Sequence, residues 1–105
     1  FAAEDGELLM ASVPGGARKV ALAPDGRQFA SEELAALLGR WGDQGVREVA
    51  FLIGGPCGLP ARLVREADLA LSLSRMTFTH EMARLLLLEQ LYRAFSIRAG
   101  SGYHK

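Results

Sequence analysis

Val49-Ala50-Phe51-Leu52-Ile53, followed at once by Gly54-Gly55-Pro56-Cys57-Gly58, is the stretch on which the fold turns. Five apolar residues in a row, without polar alternation, are the mark of a parallel strand covered by helices on both faces, so a central strand is expected here. The glycines that interrupt it permit backbone angles closed to other residues and let the chain approach itself or a ligand closely. They lack the Lys and Ser or Thr of a phosphate loop and the spacing of a dinucleotide fingerprint. By itself the stretch therefore fits a tight turn as well as a ligand-binding loop.

Upstream, Lys19-Val20-Ala21-Leu22-Ala23 reads as a shorter strand, ended by the turn Pro24-Asp25-Gly26. Ser31 is placed to cap the next helix, with Glu32 and Glu33 complementing its positive end. Leu34, Leu37, Leu38 and Trp41 follow at i, i+3, i+4 and i+7 on one face, and Gly42 is expected to end the helix. Downstream, residues 60–67 read as a short helix with Leu63, Val64 and Ala67 inward. Leu69, Leu71 and Leu73 then alternate with smaller residues as in a strand. Thr79 is expected to cap a last helix that runs to about Arg98, apolar on so much of its surface that it must bury two sides. The alternation of strands and helices predicts one α/β domain over residues 1–105, with a mainly parallel sheet and helices on both faces.

The first ten residues, FAAEDGELLM, read as the back half of a helix, and because the chain does not begin with Met a preceding segment is expected. Half of the residues are hydrophobic and 23% are charged, as in ordinary globular domains. Leu85-Leu86-Leu87-Leu88, like the run at Val49 to Ile53, is far short of the roughly 20 residues that a membrane span needs. No basic and then apolar leader is visible, so a cytoplasmic location is expected. The lone Cys57 offers neither an internal disulfide nor a cysteine metal cluster, and no metal is expected. Net charge is zero, which argues against a protein that grips nucleic acid by bulk charge. The first 50 residues carry five basic and eight acidic side chains and the rest carry seven and four, so a basic face is possible only in the second part.

In open parallel sheets ligands bind beyond the carboxyl ends of the strands. Three loops lie there: residues 23–26, 54–59 and 74–79. Four runs extend this picture: Leu52-Ile53-Gly54-Gly55-Pro56-Cys57-Gly58-Leu59, then residues 71–80 (LSLSRMTFTH), then residues 89–97 (EQLYRAFSI), then Tyr103-His104-Lys105. In order and spacing they closely resemble the ribosomal RNA large-subunit methyltransferase H family. The resemblance reaches back through Leu22 and Gly26 to Glu7-Leu8-Leu9, but lacks the family's N-terminal third with its first strand and basic loop. Two positions depart from the family pattern: Cys57 replaces an acidic residue often seen there, and Thr79 stands where Pro is common.

The resemblance implies a SPOUT-type fold with a C-terminal trefoil knot. It also implies S-adenosylmethionine-dependent methylation of N3 of a pseudouridine in large-subunit ribosomal RNA, and the doubly apolar last helix is expected to pair two copies in a homodimer. By the same resemblance Leu22, Gly54, Leu73, Ser74, Arg75, Met76, Thr77 and Phe78 match the positions that surround the methyl donor. In-line methyl transfer rests mainly on positioning. The acceptor nitrogen carries a proton, however, so a base or a stabilising cation is needed, and Arg93, Tyr103 and His104 are the candidates. His80 reads as structural support and Cys57 as a passenger. The assembled ribosome is the expected partner, since a neutral domain holds free RNA weakly. Two other classes compete: a non-catalytic module that binds an adenosine-like ligand, and an inactive structural fragment of such an enzyme.

Overall fold

A computed structural model describes residues 6–12, 16–55 and 58–100. They form strands β1 (Gly6–Ser12), β2 (Gly16–Gln28), β3 (Val46–Gly54) and β4 (Leu69–Ser72), with helices α1 (Ser31–Asp43), α2 (Ala61–Glu66) and α3 (His80–Ala99). The sheet order is β1-β3-β2-β4. β3, β2 and β4 run parallel, and β1 pairs antiparallel with β3 from Gly6↔Gly54 to Ser12↔Glu48. The expected central strand is therefore β3, paired on both edges.

Along β3 the residues alternate as a pleated strand requires. Val49, Phe51 and Ile53 enter one core cluster with Val20 and Leu71 of the neighbouring strands, Leu34, Ala35 and Leu38 of α1, and Leu87, Leu91 and Ala94 of α3. Ala50 and Leu52, which point to the other face, are buried as well. That double burial is why the stretch shows no polar alternation. α2 contacts β2 and β4 and buries Leu63.

Several expectations need correction. The helix read over the first ten residues is a strand from Gly6 onwards; residues 1–5 lie outside the described residues. The edge of a buried strand presents a row of N–H and C=O groups that must be paired, and that long-range demand overrides the weak helical preference of a short segment. β2 does not stop at Pro24-Asp25-Gly26. Leu22 and Arg27 both align with Leu71, so the intervening residues bulge out and the strand resumes to Gln28. The Ser72 hydroxyl donates to the Pro24 carbonyl at 2.9 Å and holds the bulge. Gly26 is required there, because a Cβ would lie 2.6 Å from the Ala70 carbonyl oxygen.

The cap of α1 is Ala30 rather than Ser31. The Glu33 carboxylate accepts the Ala30 N–H at 2.7 Å, and the Ser31 hydroxyl turns away to donate to Gln90 Oε1 of α3 at 2.6 Å. The helix passes Gly42 and ends at Asp43, with Gly45 in the left-handed region at φ 91. β4 stops at Ser72, one residue before Leu73. Thr79 does cap α3, its hydroxyl accepting the Met82 N–H at 3.3 Å, and Gly100 closes the helix at φ 73.

The face of α1 gives a direct check on this packing. Leu38 is fully buried, whereas Leu37, expected beside it, is only partly buried. Leu38→Ala is expected to cost about 2–5 kcal/mol in urea unfolding, and Leu37→Ala clearly less; equal losses would show that α1 is rotated from the arrangement described.

Candidate functional site

The site is built from three chain segments that leave the sheet at its carboxyl edge. They are the β2 bulge at residues 23–25, the glycine turn after β3, and residues 73–78 between β4 and α3. Together they line a cavity of about 340 Å³. The sequence pointed to these three loops, and the structure brings them together.

The glycine turn is the tightest of the walls. Gly58 donates its N–H to the Gly55 carbonyl at 2.9 Å, and the two residues form an isolated bridge. The chain comes back so close that a Cβ on Gly54 would lie 2.6 Å from Gly58 C and Leu59 N. Only glycine leaves room for that return. His80 Nδ1 lies 3.1 Å from the Gly54 carbonyl oxygen and ties the turn to the first residue of α3. This is the supporting role expected of His80. In the third segment the Ser74 hydroxyl accepts the Met76 N–H at 3.1 Å, which curls residues 74–76 around the mouth.

Of the residues expected around a methyl donor, Leu22, Gly54, Leu73, Ser74, Met76, Thr77 and Phe78 line the cavity. Arg75 is exposed and is not among the lining residues. Arg93 lies on α3, half-buried, with its Nε donating to Glu89 Oε1 at 2.9 Å one helical turn back, and it does not line the cavity either. Tyr103, His104 and Cys57 lie outside the described residues. Leu59, at the end of the 54–59 loop, lines the cavity too, and so do Ile53, Val64, Leu71 and Ala83, which had not been singled out as site residues. Their signal was the apolar pattern itself, which reads as core until the loops are placed. Asp25 adds a carboxylate to an otherwise largely apolar wall.

Among the described residues no cluster of His, Cys, Asp and Glu could hold a metal ion, and no helix is long and apolar enough to cross a membrane. The exposed large hydrophobics among them are Met76, Phe78, Met82, Leu85, Leu88 and Tyr92, all between β4 and the middle of α3. Their apolar surface begins at the cavity mouth and continues along one side of α3.

The family described as "Predicted SPOUT methyltransferase" matches residues 1–104. The chain belongs to this SPOUT methyltransferase family. Among curated relatives it is 55% identical over 97% of its length to the "Ribosomal RNA large subunit methyltransferase H" of Desulfotalea psychrophila. It is 48% identical to proteins of the same name from Bifidobacterium animalis subsp. lactis and Paramagnetospirillum magneticum, over 97% and 98% of the chain. The chain spans 67%, 64% and 68% of those three relatives' lengths. The SPOUT assignment agrees with a mainly parallel α/β sheet whose loops gather at its carboxyl edge.

Two glycine substitutions separate the site from ordinary helix. Gly54→Ala is expected to cost about 1–3 kcal/mol, because the added methyl group overpacks a backbone contact, and to speed amide exchange at Gly58 as the turn opens. Gly39→Ala in α1, where the nearest atom to the new Cβ is 3.7 Å away, is expected to stabilise by about 0.5–1 kcal/mol. Unchanged exchange at Gly58 in Gly54→Ala would mean that the turn is looser than described.

Proposed function

We propose that this chain is an S-adenosylmethionine-dependent methyltransferase that modifies N3 of a pseudouridine in large-subunit ribosomal RNA. In this reading it works in the cytoplasm on the assembled ribosome, as a homodimer, and its C-terminal part carries the SPOUT trefoil knot with helices covering both faces of the sheet. The observation that carries the reading is the convergence of the three strand-end loops on one cavity in a chain of this family. The names of its relatives support the ribosomal substrate.

The cavity fits the methyl donor in size and in chemistry. About 340 Å³ lies within the range of small-ligand sites. Leu22, Ile53, Leu71 and Phe78 provide apolar walls for an adenine ring, while Ser74, Thr77 and the backbone of the glycine turn provide polar groups. When bound, S-adenosylmethionine supplies an electrophilic methyl group on a sulfonium. What remains for the protein is to position the acceptor and to manage its proton. Rigid walls serve the first task, since a fixed approach of two reactants removes most of the orientational cost.

The second task falls to Arg93, Tyr103 and His104. A guanidinium stabilises the anion that develops as the acceptor nitrogen loses its proton, and an imidazole or phenol can accept that proton. Arg93 is held by Glu89 next to Tyr92, which belongs to the exposed apolar stripe of α3. A second copy docked on that stripe brings Arg93 into a site shared between subunits. So large an apolar surface is unusual on a monomer, and this favours the homodimer. With zero net charge the domain gains little from counterion release on free RNA. The assembled ribosome supplies the missing contacts by shape.

Calorimetry with S-adenosylhomocysteine and methyl transfer to ribosomal particles test this reading. Binding together with methylation of whole particles, and little methylation of naked ribosomal RNA, is expected. Arg93→Ala and removal of residues 103–105 should each lower transfer by at least about 100-fold while keeping donor affinity. Binding without transfer to any RNA would select a non-catalytic adenosine-binding module, and absence of both would select an inactive fragment.

The dimer has its own check. Leu85→Glu places a carboxylate in the middle of the stripe and should convert a dimeric mass in solution to a monomeric one at micromolar concentration. A wild-type monomer would refute the shared site.

A further inference from the structure

A second cavity, of about 290 Å³, lies on the other side of the end of β4 and is lined by Phe29, Ser31, Leu86 and Gln90 as well as Leu71 and Leu73. Leu71 and Leu73 also line the first cavity, so the two share a wall. The second cavity is not explained by donor binding, and its polar residues Ser31, Ser72 and Gln90 do not line the first.

Resting on the methyl-transfer reading above, we propose that this second cavity receives an unpaired nucleobase of the RNA substrate. Three features favour a base over other occupants. The Phe29 ring lines the cavity and is partly buried, and an aromatic ring is a surface on which unpaired bases stack; Arg27, 4.4 Å from the ring centroid, lies outside the lining and adds a positive charge beside it. Gln90 accepts the Ser31 hydroxyl through Oε1 at 2.6 Å, which orients its amide so that the NH₂ group is left to offer hydrogens to a ring carbonyl or nitrogen. Glu32 and Glu33, in the first turn of α1 beside Ser31, oppose a phosphate at this position. A neutral, flat ligand with hydrogen-bond acceptors on its edge meets all three conditions, and the shared wall places it next to the cavity where methyl transfer is proposed.

The choice of variants separates recognition from folding. Phe29→Leu keeps apolar volume against the core but removes the stacking face, and Phe29→Trp restores it. Gln90→Glu keeps an acceptor for Ser31 but deletes the NH₂ group. Binding of large ribosomal subunits is measured by filter retention with S-adenosylhomocysteine present, alongside KM and kcat for methylation. The proposal expects Phe29→Leu and Gln90→Glu to weaken particle binding and raise KM at least about fivefold, with affinity for S-adenosylhomocysteine unchanged, the fold retained at the assay temperature, and Phe29→Trp close to wild type in binding. Wild-type binding by Phe29→Leu and Gln90→Glu would overturn it, as would a parallel fall in affinity for S-adenosylhomocysteine, which would assign the cavity to the donor site. If the wild-type protein binds S-adenosylhomocysteine yet neither binds nor methylates ribosomal particles, the methyl-transfer reading itself fails, a result distinct from active wild type with silent variants.

Discussion

Burial of β3 on both faces and both edges is the constraint on which the rest of the molecule depends. Phe51, Leu52 and Ile53 are almost inaccessible to water, and each such side chain contributes about 1.5–3 kcal/mol relative to exposure. A strand this dry cannot leave backbone groups unpaired. β1 takes one edge and β2 the other, which leaves the short β4 to pair with the far side of β2. Because β2, β3 and β4 point the same way, the β2 bulge and the segments that follow β3 and β4 all lie at one end of the sheet. The cavity at that end is a consequence of parallel pairing around one buried strand.

Parallel pairing brings the loops to one end, and a few hydrogen bonds hold them there. Asp68 accepts the Lys19 N–H at 2.7 Å and donates its own to the Lys19 carbonyl at 2.8 Å, which locks the start of β4 to β2. Ser72 holds the bulge at Pro24, and His80 holds Gly54. Each such bond is worth about 0.5–1.5 kcal/mol, small beside the core but sufficient to fix one loop relative to another. The His80 contact matters most for the geometry. Residues 73–78 lead directly into the Thr79 cap, so the contact anchors two of the three cavity walls at one point of α3.

How much of this was legible follows from the range of the forces involved. The uninterrupted run at Val49 to Ile53, the Thr79 cap and the glycine turn are local signals, and they stand where the sequence indicated. The bulge in β2 is not local: it depends on a hydroxyl from Ser72 and a carbonyl at Ala70, far along the chain, so Pro24-Asp25-Gly26 read as a plain stop. β1 was misread for the same reason, since its conformation is imposed by the edge of β3 and not by its own residues. Within the site, the family resemblance singled out residues 73–78, most of which line the cavity, but could not say which side chains face inward. Met76 and Phe78 line the cavity while Arg75 does not, because a loop has no fixed period from which to read direction. Arg93 sits four residues after Glu89, a spacing that brings side chains together on a helix, yet spacing alone says nothing of its distance from the cavity.

α3 shows why its composition defied a simple amphipathic reading. Leu87, Leu91 and Ala94 pack into the core, Ala83 borders the first cavity, Leu86 and Gln90 border the second, and Met82, Leu85, Leu88 and Tyr92 are exposed. A helix with one buried side would carry polar residues on most of the remainder. Here nearly every side has an apolar or site-forming duty, so the helix has no face left to serve solubility alone. Its orientation is set by the core, and its first residue holds the Gly54 carbonyl. Any partner or substrate that turns or shifts α3 must therefore move both cavities together with the exposed stripe. The fold thus makes α3 the element that borders both cavities and carries most of the exposed stripe.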